Sequence, residues 1–233
     1  MTGTARSGRR LDLGAIGRSL EALAQSAPQG GSAGREPFTP EVVRWMLDGY
    51  ERLDDIAAMG VDPFAIGGAE LLLDLNHRVL CGKDPARRAA FAPHLAATRQ
   101  RFLEDPRAGA GAFCDWAAAA RGGGAERFAA AVFVRIVSEP QLFLEGNQRT
   151  ATLAAGYVLL EAGLPPLVVT AATRRDYTAI AASARAIERH RWDGFFRSLA
   201  VARRLRMFIS ASRDPAYLTA SASERRDRTA RGG

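Results

Sequence analysis

The chain has 233 residues, 47% of them hydrophobic, which excludes a disordered protein and allows one sizeable core. No apolar run is long enough to span a bilayer, and Asp12, Arg18 and Glu21 interrupt the stretch behind the first arginines, so neither a membrane anchor nor a signal peptide is read and a cytoplasmic protein is expected. The formal charge is +7, but Lys83 is the only lysine, the arginines are spread out, and the basic tail at 223–233 has no aromatic residue for base stacking, so a nucleic-acid partner is not expected.

Residues 1–36 read as a flexible N-terminal segment rich in Gly, Ser, Ala and Arg, with "QSAPQGGSAGREP" as a linker. Within it, "LGAIGRSLEALAQ" has the spacing of a short amphipathic helix with Ile16, Leu20 and Leu23 on one face. The folded domain is expected over 37–212. Thr39 is a good N-cap and Pro40 suits the first helical position of "PEVVRWMLDGYERLDDIAAMG". "GGAELLLDLNHRVLCG" predicts the next helix, ended by Gly82. "DPARRAAFAPHLAATRQRFLED" follows, broken at Pro93, and then the short helix "GAFCDWAAAARGGG".

"AERFAAAVFVRIVSEP" is long enough for a buried helix and is closed by Pro140. "NQRTATLAAGYVLLEAG" is the next, with Gly163 as its stop and Pro165 and Pro166 against continuation. "PLVVT" reads as a strand or an extended segment. "RRDYTAIAASARAIE" and "RWDGFFRSLAVARRLRMFISA" complete the set, and 213–233 reads as a basic flexible tail. The fold class is all-α, with at most a small β-hairpin or extended segments. Two cysteines, Cys81 and Cys114, imply reduced thiols. His77, His94 and His190 have no paired spacing, so no zinc site is expected.

Between the two apolar helices lies "QLFLEGNQRT", residues 141–150. Gly146 lets the backbone turn sharply or approach a ligand. The helix that starts at Asn147 leaves its first amides unpaired, and with the positive end of the dipole they make an anion site. Arg149 has the length to fork two phosphate oxygens. Glu145 would repel a bare phosphate, so a carboxylate here makes sense if it holds Mg²⁺. Without a ligand, the same residues are an ordinary helix start flanked by solvated charges.

The stretch resembles the motif of the Fic/Doc (Fido) family, H-x-F-x-(D/E)-G-N-(G/K)-R. Phe143 matches the buried aromatic, Glu145 the magnesium carboxylate, Gly146 and Asn147 the anion loop, and Arg149 the phosphate arginine. The likeness extends over roughly 38–205 in arrangement and is specific at 125–180. It implies a helical Fido domain that binds a nucleotide with Mg²⁺ and transfers AMP, another nucleotidyl group or a phosphoryl group to a hydroxyl on a protein or small molecule.

Three positions depart from the pattern. Gln141 stands where the family has its general-base histidine, and an amide has no proton that titrates near neutrality. Losing a positioned base costs ~10²–10⁴-fold in rate. Gln148 is expected with Gly146, Asn147 and Arg149 to cradle the phosphates, yet it matches neither the Gly of AMP-transferases nor the Lys of Doc-type phosphotransferases. Thr152 replaces the second arginine of many AMP-transferases. Ser32 to Glu36 is the nearest approach to the family's inhibitory-helix signature, and its last position is wrong. Two readings therefore stand, a transferase with a degenerate motif and a pseudoenzyme that binds a nucleotide or a partner.

Overall fold

The computed structural model describes residues 9–26 and 38–219. Residues 27–37 of the expected linker, which include the Ser32–Glu36 segment, and the last fourteen residues of the tail lie outside them, while Gln25 and Ser26 end the first helix. The described residues form ten α-helices and no strand, so the fold is all-α. The segment 164–170 is neither helix nor strand, and among the described residues the only β-type contacts are isolated bridges, Leu11 with Leu218 and Glu139 with Glu188.

Helix α1 (Leu13–Gln25) is capped by the Asp12 side chain, which accepts from Ala15 N. Helix α2 (Pro40–Met59) begins at Thr39, whose hydroxyl accepts from Val42 N, and stops at Gly60 in the left-handed region. Helix α3 (Ala69–Cys81) ends at Gly82. Helices α4 (Pro85–Ala90) and α5 (Ala92–Glu104) are separated at Phe91, with Pro93 in the first turn of α5, where a missing N–H costs nothing. Helices α6 (Ala110–Ala120) and α7 (Ala125–Val137) lead into the 141–146 loop. Helices α8 (Asn147–Glu161), α9 (Arg174–Arg185) and α10 (Gly194–Ala211) follow.

Helix α8 is the centre of the molecule. Every residue from Thr150 to Leu160 is buried, so its apolar sequence has no polar face to show. It packs against α7, α2 and α3. Gly49 on α2 permits that closeness, because a Cβ there would lie 2.5 Å from Leu153 Cδ1. The loop that feeds α8 is thereby held at both ends by buried helices.

The boundary expected at residue 37 is corrected by the structure. Leu11, Ile16, Leu20 and Leu23 are buried, and α1 packs on α2. Arg10 Nε donates to Asp54 at 2.7 Å and Leu11 N donates to the same carboxylate at 3.0 Å. The amphipathic stripe of α1 is core surface, not part of a tether. The tail expected from 213 also begins later. Tyr217 is buried, its hydroxyl shares a hydrogen bond with Ser19 at 2.9 Å, and Asp12 N donates to its carbonyl. Residues 9–12 and 214–219 thus close the domain together.

Candidate functional site

The loop begins where α7 ends at Val137. Phe143 anchors it. The ring is fully buried and stacks on Phe102 of α5, with centroids 5.2 Å apart. Leu142 is buried beside it, while Leu144 and Glu145 are exposed at the tip. Gly146 then turns the chain with φ 72°, and a Cβ there would meet Asn76 Nδ2 at 3.0 Å and Leu80 Cδ2 at 3.1 Å. Glycine is needed on both counts, since the left-handed region and the close approach each penalise a side chain.

Asn147 fastens the loop to itself. Its Oδ1 accepts from Phe143 N at 2.9 Å, and its Nδ2 donates to Phe143 O at 2.8 Å and to Gln141 Oε1 at 3.0 Å. The side chain is 5% exposed, so these bonds stand in place of water. The Gln141 amide in turn donates Nε2–H to Val137 O at 3.2 Å. Both ends of that amide are thus engaged. One takes the carbonyl at the C-terminus of α7 and the other the side chain at the start of α8.

Further partners arrive from distant helices. Arg101 of α5 donates to Gln141 O at 2.8 Å, and Arg189 donates to Pro140 O and Ser138 Oγ. Two arginines therefore hold the consecutive carbonyls of Pro140 and Gln141. Burial lowers the Arg189 pKa to about 10, with Arg135 nearby adding to the effect. Asn76 of α3 donates to Glu145 O at 2.9 Å and to Thr150 Oγ1 at 3.0 Å. These partners lie 40 to 74 residues from the groups they hold, and no local spacing marks them.

The phosphate side has this geometry. Gly146 gives the α8 N-terminus no side-chain cap, and the first intrahelical bond runs from Thr150 N to Gly146 O at 2.9 Å. The amides of the first turn precede that bond, as at any helix start. Arg149 is half-buried and donates to Val79 O, the carbonyl two residues before the end of α3. Gln148 and Thr152 turn the other way. Thr152 Oγ1 is 2.6 Å from the buried Tyr177 hydroxyl and donates to Gln148 O at 3.0 Å, and the Gln148 side chain also bonds to Tyr177. Burial raises the Tyr177 pKa, and the bonds from Thr152 and Gln148 offset part of the rise. At 2% exposure, position 152 has no room for an arginine without repacking α9.

Glu145 has a side chain 65% exposed, with His94 Nε2 of α5 at 3.9 Å from Oε2. His94 is thus beside the loop tip; His77 lies on α3 and His190 between α9 and α10. Among the described residues no three His, Cys, Asp or Glu side chains converge into a metal cage. Magnesium that arrives with phosphates does not need one, because one or two carboxylates plus phosphate oxygens and water suffice. The single exposed carboxylate fits that role. Glu139 accepts from Gln141 N at 3.3 Å and its charge opposes the fall in the Arg189 pKa, and Asp115 is exposed on α6.

Set against known proteins, the chain matches no family model and no curated protein.

Proposed function

We propose that this chain is an atypical Fic/Doc-like protein whose 145–149 loop binds the phosphates of a nucleotide together with Mg²⁺, and that it works as a binding module without a general base. One observation carries the second half. The Gln141 side chain is committed at both ends, to Val137 O and to Asn147, so the position that would deprotonate an acceptor hydroxyl holds the loop shut instead.

The first half is supported by an uncapped α8 N-terminus behind Gly146 and by the exposed carboxylate next to it. Glu145 would hold the metal. The first-turn amides of α8, Asn147 to Arg149, would face the phosphates, and Arg149 would add its positive charge from the α3 side. The metal supplies neutralisation of phosphate charge. Asn147, Arg101 and Arg189 keep the loop in place before a ligand arrives, which lowers the ordering cost of binding.

Thermal unfolding in the presence of ATP, CTP, GTP or UTP with Mg²⁺, run beside a labelled-transfer assay, tests this. A nucleotide that raises the midpoint without label reaching any acceptor supports the module. Transfer of label supports the transferase reading, with Gln141 orienting the acceptor. No shift with any nucleotide contradicts both.

A further inference from the structure

Helix α10 has two unlike faces. Val201, Leu205 and Ile209 are buried against α7 and α9. The opposite face exposes large apolar side chains. Phe195 is 71% exposed, Phe196 67% and Leu199 55%, and Trp192, in the turn leading into the helix, is 85% exposed. Phe195 and Phe196 pack edge-to-face at 5.6 Å. A continuous apolar face of this size on a folded domain marks an interaction surface. One and two turns further along the same face stand Arg203 and Arg206, both exposed and without an ion pair among the described residues. The face is thus aromatic at one end, aliphatic in the middle and cationic at the other end.

We infer that this face pairs with the same face of a second copy, α10 against α10, antiparallel about a two-fold axis at Leu199. In that register the positions 195 and 203 are equally far from the axis, about 6 Å each at 1.5 Å rise per residue. Phe195 of one copy then lies at the level of Arg203 of the other, and the second copy's Arg206 lies just beyond the helix start, toward the turn that carries Trp192. Guanidinium groups over aromatic rings attract, and more strongly once water is excluded. Leu199 meets Leu199. The two Arg203 groups are held apart by about 12 Å along the axis, beyond the screening length of about 8 Å at physiological salt. The arrangement is isologous and closes as a dimer.

Other occupants fit less well. Parallel pairing places Arg203 on Arg203. A flat bilayer would take Arg203 and Arg206 to the same depth as Leu199, because they share its face, whereas surface-lying helices keep their cations on the opposite side. The rest of this chain has no suitable cover. Residues 1–8, 27–37 and 220–233 contain no aromatic side chain and, apart from Met1, no aliphatic one larger than proline.

Sedimentation of the full chain over a concentration series, with cysteine cross-linking, tests the pairing. Cys81 and Cys114 are buried, so the background is low. A reversible dimer is expected, with Phe195→Ala weakening it about tenfold or more. Leu199→Cys should oxidise to a linked dimer, because only an axial residue meets its own copy within disulfide reach. Arg206→Cys, on the same face but off the axis, should not. All three positions are exposed, so unchanged circular dichroism is expected of each variant. A chain monomeric at its highest soluble concentration overturns the inference, even if it binds anionic vesicles, which would assign the face to a bilayer. Equal cross-linking at 199 and 206, or a dimer indifferent to Phe195→Ala, overturns it too.

Discussion

Asn147 donates its side-chain N–H to the Gln141 side-chain oxygen at 3.0 Å, across a loop whose two ends are the last turn of α7 and the first of α8. The pair ties together the residue that the Fic/Doc likeness assigns to chemistry and the residue that it assigns to the anion loop. In this chain the tie is structural on both sides, because Gln141 also bonds Val137 O and Asn147 also bonds both backbone groups of Phe143.

Gln141→Ala should therefore destabilise the fold, by about 1–2 kcal/mol, through two lost hydrogen bonds of ordinary strength. Urea unfolding measures it, with the midpoint falling and the m-value unchanged. A residue that served only an acceptor substrate would show no such loss.

Asn147→Ala should cost more, about 2–4 kcal/mol, since it removes three bonds and leaves the Phe143 amide buried without a partner. The two effects should not add. A double-mutant cycle between positions 141 and 147 should show a coupling of about 0.5 kcal/mol or more, and simple additivity would contradict the shared bond.

Phe143→Ala should be among the most damaging changes in the loop, at about 3–5 kcal/mol, because the ring is fully buried and stacked on Phe102. Phe143→Leu keeps much of the volume and should retain most of that stability. Calorimetric unfolding of the two variants ranks them.

Acid should weaken the fold through His77. Burial, with Arg88 adding to it, lowers the pKa of this α3 histidine from its ordinary 6.5. The sign follows from proton counting. Below about 6.5 the unfolded chain binds a proton that the folded chain does not, so stability falls as pH drops from there toward the lower folded value. The slope of thermal midpoint against pH between about 7 and 5 should shrink in His77→Gln. An unchanged slope would assign the acid sensitivity elsewhere.

Most of the helices were legible in the sequence because their signals are local. Thr39 followed by Pro40 marked the start of α2, and Gly82 and Gly163 marked ends. The apolar run after Arg149 marked a helix, and its complete burial, with the others packed around it, appears only in the fold. The linker-like composition around α1 concealed that its stripe belongs to the core, since only α2 and Tyr217 reveal what it packs against. The loop residues 141–149 stood out for the same local reason, a glycine between a carboxylate and an amide run. What holds them was not legible. Asn76, Arg101, Tyr177 and Arg189 come from four other segments of the chain. The roles of Gln148 and Thr152 also depend on Tyr177, a contact 25 residues away from Thr152.

The most direct measurement is a calorimetric titration of the chain with each nucleoside triphosphate in Mg²⁺, repeated in EDTA and with Glu145→Gln. Glu145 is exposed at the loop tip, so that variant should keep the fold. Binding of at least one nucleotide in Mg²⁺ is expected, weakened about tenfold or more by EDTA or by loss of the carboxylate, with no turnover of the ligand. Binding to none of them, or binding indifferent to both metal and Glu145, would contradict a phosphate site at this loop.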